Sequence, residues 1–294
     1  MAHRMKLTNR YGLPDPVVRA LTRNEYTRGE SNRSVTQLID SPRIRILRQE
    51  NWDEMEEDCS EKLWAVLGTA AHKMFEDTAD GSFVSEERIF TDVAGWTISG
   101  AIDVQQVHND GSVTVMDYKT TSVWSVIYGK PEWELQLNCY AFLLQQKHVN
   151  VRALKVIAIC RDWKAKEAEQ KQDYPKAPIV EVDVALWDEE RRKKYVYDRV
   201  SLHQNAEFNR LTSEQIRDCS PEEMWQKGDS WAVKKSGNKR AIRVFDSEEK
   251  AKAMLEPGLV IEHRPGERTR CAGDWCRVSR WCDQWKAFKE ENGD

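Results

Sequence analysis

Three polar residues stand where they could hold a cation and act on a phosphodiester. Asp103 closes Gly100-Ala-Ile-Asp103, while Asp117 and Lys119 close Val113-Thr-Val-Met-Asp117-Tyr-Lys119. Successive side chains of a strand face opposite ways, so Asp117 and Lys119 share one face and Tyr118 takes the other. Hard divalent cations such as magnesium or manganese take oxygen ligands, and Asp103 and Asp117 can supply them, with the main-chain carbonyl near Tyr118 as a further oxygen. A cation so held polarises a phosphate and lowers the pKa of bound water. Lys119 would orient or deprotonate that water, or offset charge building on phosphorus. An Asp-x-Lys triplet alone is commonplace. What sets this one apart is the 14-residue step from Asp103 to Asp117 across a tight turn, which brings the two carboxylates together.

The elements that must position these groups follow from periodicity. Asn109-Asp110-Gly111 is a hairpin signal between β-like runs at 96–107 and 113–118, and another run covers 83–90. Leu63, Trp64, Leu67, Ala71, Met74 and Phe75 recur at three- and four-residue spacing and predict an amphipathic helix carrying His72. A second helix is predicted from Trp133 through Gln146, carrying Gln136 and Tyr140 four residues apart on one face. Strands at 153–160 and 179–184 and a charged helix at 188–210 follow. Ser41-Pro42 reads as a helix start. Residues 1–33, broken by Gly12, Pro14 and Pro16, read as an irregular arm; beyond 210 come a two-stranded ribbon at 230–245, a short helix at 247–255 and a Cys-rich end.

This set resembles the RecB-like branch of the PD-(D/E)XK nucleases, which includes CRISPR-associated RecB-like exonucleases. Gly68-Thr-Ala-Ala-His72 resembles the family's helical Gly-x-x-x-His motif, and Gly100-Ala-Ile-Asp103 and Asp117-Tyr-Lys119 resemble its two metal-binding strands. Gln136-Leu-Asn-Cys-Tyr140 resembles its Gln-x-x-x-Tyr motif. The match runs from Leu67 to about Leu144. It implies an α/β fold with a restriction-endonuclease-like core, a central mixed sheet flanked by helices, and a Cys-rich C-terminal extension. The implied organisation is an arm at 1–33, the nuclease core at 34–210, and an extension at 211–294 whose ribbon and cysteine cluster pack on the core. The resemblance implies a magnesium- or manganese-dependent deoxyribonuclease, an exonuclease acting on single strands or ends. His72 would join Asp103, Asp117 and the Tyr118 carbonyl at the metal, and Gln136 and Tyr140 would touch substrate or order the site.

Seven cysteines are present, and Cys271, Cys276 and Cys282 fall within 12 residues. Clustering of this kind suggests a metal. The interval from Cys276 to Cys282 resembles that of RecB-like nucleases carrying a 4Fe-4S cluster, while the interval from Cys271 to Cys276 departs from theirs; zinc is the alternative. Either metal calls for a fourth ligand. Cys59 stands where the resembled family has one. Cys219 competes with it, because Ser220-Pro221-Glu222-Glu223 reads as a capped helix start, which would favour a thiolate. Cys139 and Cys160 read as packing.

The net charge of −4 does not announce a nucleic-acid binder, so phosphate contact must rest on local basic stretches. Three exist, at Arg43 to Arg48, Arg191 to Lys194 and Lys234 to Arg243; each also reads as a solvated charged face. No apolar run reaches the roughly 18 residues of a membrane span, and the expected location is the cytoplasm, of a host cell if a phage encodes the chain. Replication or recombination proteins are expected partners. A non-catalytic DNA- or protein-binding subunit is the alternative, disfavoured because the motif set is complete. A zinc deaminase is disfavoured because His72-Lys-Met lacks His-x-Glu and no Pro-Cys-x-x-Cys follows.

Overall fold

The structure is a computed structural model that describes residues 5–23, 29–76 and 82–292. They form two units, Met1–Asp40 with Trp52–Thr212, and Ser41–Asn51 with Ser213–Asp294. Along the chain come β1 (Lys6–Thr8), α1 (Asp15–Thr22), β2 (Arg33–Ser34), α2 (Val35–Ile39), α3 (Pro42–Glu50), β3 (Glu56–Asp58), α4 (Leu63–Glu76), β4 (Phe83–Val93) and β5 (Trp96–Val107). Then follow β6 (Val113–Thr121), α5 (Val123–Tyr128), α6 (Pro131–Gln145), β7 (Val151–Cys160), α7 (Ala165–Gln170), β8 (Ile179–Val184) and α8 (Glu189–Thr212). The second unit adds β9 (Ser230–Lys235), β10 (Arg243–Phe245), α9 (Glu248–Lys252), β11 (Leu259–Arg264), α10 (Thr269–Ala272) and α11 (Asp283–Asn292) to α3.

The first unit is built on a mixed sheet in the order β2-β5-β6-β7-β8, with β4 also paired to β5. The β5–β6 and β7–β8 pairs are antiparallel and β6–β7 is parallel. The expected hairpin closes through His108 N–H to Ser112 O at 2.9 Å, with Gly111 at φ +77°. Helices flank this sheet, giving the expected α/β core. On one side α6 packs against the strands and against α2 and α8, so it is buried almost all round. On the other lies α4, where Phe75 stacks on Tyr118 with ring centroids 4.7 Å apart. The predicted Gly81-Ser82 stop of that helix falls partly outside the described residues.

Several expectations need correction. The described part of residues 1–33 is not an irregular arm: β1 pairs with β3, β2 pairs with β5, and the Pro14-Asp15-Pro16 segment initiates α1. Proline is tolerated in a first helical turn, where no N–H is required. The apolar stripe of α4 is exposed at Leu63, Trp64, Leu67 and Met74. The helix turns Ala65, Gly68, Thr69 and His72 toward a cleft instead, and Trp64 lies under the Arg161 guanidinium.

The second unit departs further from expectation. Its ribbon has three strands, because β11 pairs with β9 along its whole length. Residues 41–51, expected in the core, belong to this unit. Ile44 and Leu47 of α3 line its cysteine pocket, and Arg43 is buried, donating to Ile216 O at 2.9 Å and pairing with Asp218 at 3.2 Å. Ser41 occupies the N-cap position of α3 but directs its hydroxyl to Cys219 Sγ at 3.2 Å. The predicted helix after Ser220 is a single turn. Ser220 and Glu223 exchange the two hydrogen bonds of a capping box, but no helix propagates.

One buried amide ties α6 to the chain beyond β8. Asn138 donates to Glu134 O and Ala185 O, both at 2.9 Å, and its Oδ1 accepts from Trp187 N–H at 2.9 Å. Truncation leaves the Ala185 carbonyl and the Trp187 N–H unpaired in the interior, so Asn138→Ala is expected to cost about 1–3 kcal/mol per stranded group. Urea denaturation monitored by circular dichroism checks this.

Candidate active site and cysteine pocket

Register places the acidic groups. Pairing of Val104 with Met116 sets Asp103 beside Asp117, and Asp103 Oδ2 accepts from Tyr118 N–H at 2.8 Å. Lys119 Nζ stands 2.5 Å from Asp117 Oδ2 as an ion pair, without the geometry of a hydrogen bond. The other oxygen, Oδ1, accepts from Gln136 Nε2 at 3.2 Å, and the same amide donates to Tyr140 Oη at 2.7 Å. The four-residue spacing on α6 thus sets an amide and a phenol against one carboxylate. Gly100 makes this approach possible: a methyl group there would lie 2.7 Å from Leu143 Cδ1 and 2.9 Å from Tyr140 Cδ1.

From α4, His72 Nε2 lies 2.9 Å from the Tyr118 carbonyl oxygen. With Nε2 donating to that carbonyl, the Nδ1 lone pair faces Asp103 Oδ1 at 3.6 Å and Glu86 Oε1 at 4.0 Å. Metal-binding histidines commonly use their second nitrogen this way. His72, Glu86 and Asp103 each offer a ligand atom within 4.8 Å of the others. The Tyr118 carbonyl, expected as a ligand, faces His72. Together with Asp117, Lys119, Gln136 and Tyr140, these three side chains line a cleft of about 590 Å³.

Glu86 is the residue that sequence reasoning missed. Ser85 pairs with Val104 and Glu87 with Ile102, so in an unshifted register Glu86 stands opposite Asp103, on left-handed backbone at φ +51°. Left-handed backbone is uncommon for such a side chain and clusters at functional sites. The local signal was slight: two adjacent glutamates in a strand that otherwise alternates.

Charge supports a cation here. Burial, then the neighbouring Asp117 carboxylate, push the Asp103 pKa up to about 8, against the opposing pull of Lys119 and the Tyr118 N–H. Asp117 Oδ2 is buried beside Lys119 Nζ, 2.5 Å away, which leaves Asp103 without a comparable cation. Two adjacent carboxylates in poor solvent contact repel each other unless a positive charge sits between them. Asp103, Asp117, Glu86 and His72 therefore fit a divalent cation with oxygen and imidazole ligands.

In the second unit, Cys219, Cys271, Cys276 and Cys282 line one pocket with Ile44, Met224, Val278 and Trp285. Gln284 clasps the first of these: Cys219 N–H donates to its Oε1 at 2.8 Å, and its Nε2 donates to Cys219 O at 2.9 Å. Burial, above all, raises the Cys219 thiol to about 12 and Cys271 to about 11, with the neighbouring thiols adding to the rise. The helix-terminus thiolate expected at Cys219 is thus corrected; without a propagated helix there is no dipole to stabilise it. Cys59 belongs to the first unit, where its thiol faces Asn9 Oδ1 at 3.8 Å. Cys139 and Cys160 are buried in α6 and β7.

A model of the PD-(D/E)XK nuclease superfamily matches residues 17–283. The chain belongs to that superfamily. Its members are typically metal-dependent nucleases that use cations such as magnesium or manganese, in keeping with the acidic cleft. A solved structure described as "Crystal structure of SSO0001" is similar at 19% identity and a TM-score of 0.44, covering 63% of this chain and 84% of that one. No curated protein matches the chain.

The raised Asp103 pKa has a consequence for stability. Between its ordinary value of 3.8 and about 8, the folded metal-free superfamily core holds a proton that the unfolded chain has released. Stability must therefore fall as pH rises through that window. Asp103→Asn removes this dependence, and the variant should gain on wild type from about pH 4 to about pH 8. Melting temperatures in EDTA across that range measure the difference; parallel pH profiles would refute it.

Proposed function

We propose that this chain is a magnesium- or manganese-dependent deoxyribonuclease, an exonuclease acting on single strands or ends in DNA replication, recombination or repair. The observation that carries the reading is the convergence of Asp103, Asp117, Lys119 and His72 on one cleft. A divalent cation bound there polarises the phosphate and lowers the pKa of the attacking water. Lys119, an ammonium paired with Asp117, would orient that water and offset the charge building on phosphorus; the water's proton goes to solvent, and the leaving oxygen takes one from solvent as its bond to phosphorus breaks. Gln136 and Tyr140 act as positioning residues, holding Asp117 Oδ1.

An unpaired strand is favoured by an exposed aromatic pair on α5, which begins two residues after β6. Trp124 and Tyr128 stack with centroids 5.9 Å apart and planes 13° from parallel. Exposed aromatic rings are sequence-tolerant platforms for single-stranded bases. Replication or recombination proteins are the partners this role implies.

The same reading gives the second unit a 4Fe-4S cluster on Cys219, Cys271, Cys276 and Cys282. Tetrahedral zinc with bonds of about 2.3 Å brings its sulfurs to roughly 3.8 Å of one another. Among the described residues no three of these sulfurs come within 4.8 Å. The interval from Cys276 to Cys282, which resembles that of RecB-like nucleases carrying such a cluster, is what supports iron–sulfur over zinc.

Two experiments test the proposal. Labelled single- and double-stranded DNA, with free or blocked ends, is incubated in magnesium or manganese. Asp117→Ala and Lys119→Ala are each expected to lose about 100-fold or more in rate; activity equal to wild type in both would sink the mechanism. For the cluster, anaerobically purified protein should contain iron and absorb in the visible, and Cys276→Ser should lose both and melt earlier. Folded, active protein free of iron would overturn the assignment.

A further inference from the structure

We infer that the β9–β10 ribbon of the second unit is a contact for the phosphate backbone of a nucleic acid, separate from the hydrolytic cleft. The inference rests on the nuclease reading for the identity of its polyanion. Residues 230–245 carry Lys234, Lys235, Lys239, Arg240 and Arg243 and no acidic residue, in a chain whose net charge is −4.

Position and pairing distinguish this run from an ordinary charged face. Lys234 is engaged by Glu262 of β11. Lys235, Lys239, Arg240 and Arg243 are exposed, and none of the four has an acidic partner among the described residues. Nearby acids already have other partners. Asp229 pairs with His263 at 2.8 Å, Asp246 with Lys250 at 2.7 Å, Glu248 with Lys252 at 2.9 Å, and Glu262 also with Arg264 at 2.7 Å. Four positive charges are therefore left uncompensated within nine residues.

They are also held in place. Ala232 and Val233 are fully buried, β11 pairs with β9 along all six residues, and α9 packs on both β9 and β10. The turn closes by Asn238 N–H to Lys235 O at 3.0 Å, with Gly237 at φ +81°, and Ile242 N–H returns to Val233 O at 2.8 Å. Arg243 lies opposite Val233, so Arg243 and Lys235, two residues past Val233, project from the same face of the ribbon. Lys239 and Arg240 crown its tip. A stiff ribbon with four cations that lack an acidic partner, Arg243 lying over the Phe245 ring at 5.1 Å, suits a regular polyanion, which is bound by charge and counterion release without regard to sequence. In the chain, the ribbon lies between Cys219 and Cys271, both of which line the cysteine pocket.

The test uses the full chain in EDTA, which halts cleavage. Binding of fluorescent single-stranded and duplex oligonucleotides is measured by anisotropy at graded salt, for wild type and for Lys235→Gln/Lys239→Gln/Arg240→Gln/Arg243→Gln. Each phosphate contact contributes about 0.7 to the slope of log affinity against log salt for single strands, and about 0.9 for duplex. The fourfold variant should therefore lose about 3 from that slope, and about 100-fold or more in affinity at low salt, on unrelated sequences alike. Lys250→Gln/Lys252→Gln, which removes lysines already paired to acids, should leave the slope unchanged. Should the fourfold variant fold poorly, Lys239→Gln and Arg240→Gln at the tip each carry the test, with an expected loss near one contact.

An unchanged slope and affinity in the ribbon variants overturns the proposal and leaves an acidic protein surface as the ribbon's partner. Equal losses in the Lys250/Lys252 control also overturn it, since general charge would then account for them. Hydrolysis in magnesium is scored separately. A chain that binds through the ribbon but never cleaves fails the nuclease reading alone, and one that cleaves with ribbon-independent binding fails this inference alone.

Discussion

Two carboxylates set side by side in the interior of a sheet repel each other, and the first unit is arranged around that repulsion. Asp103 is pushed toward its protonated form by burial and by Asp117. The groups that reduce the strain come from separate parts of the chain: the Tyr118 N–H from β6, Lys119 two residues beyond Asp117, and the Gln136 amide from α6. None of these replaces a divalent charge. The geometry makes sense as a cation site in which protein groups hold the ligands and leave room for the ion.

Packing follows from the same constraint. Gln136 reaches Asp117 only because α6 lies close over β5, and that closeness needs a residue without a Cβ at Gly100. On the opposite face, α4 sends small residues and His72 toward the cleft and leaves larger apolar side chains at the surface. An amphipathic helix normally buries its apolar stripe; here the site claims the inward face. Glu86 reaches the same cleft from β4, opposite Asp103 in the register, on left-handed backbone.

The second unit answers a similar problem with softer chemistry. Its elements are short, and Cys219, Cys271, Cys276 and Cys282 line one pocket within it. The overall charge of the chain conceals local clusters of either sign, since 45 basic residues are summed against 49 acidic ones. Local charge, with its pairing state, is the informative quantity.

Much of this was legible in the sequence because it depends on short-range rules. Alternation put Asp117 and Lys119 on one face, the Asp110-Gly111 turn joined their strand to that of Asp103, and the four-residue spacing put Gln136 above Tyr140. Superfamily membership and the mixed α/β core agree with those readings. Glu86 was not legible, because it depends on the register that sets β4 opposite β5 and on a left-handed backbone that no local pattern encodes. Nor was the grouping of α3 with the cysteine unit, which depends on contacts formed across more than 160 residues of chain. The sequence by itself determined the chemical identity and local spacing of the acidic groups; only the tertiary structure decided which thiol joined the pocket and which face of α4 turned inward. Periodicity records how a segment is built, whereas a neighbour is chosen by long-range packing that no local pattern encodes.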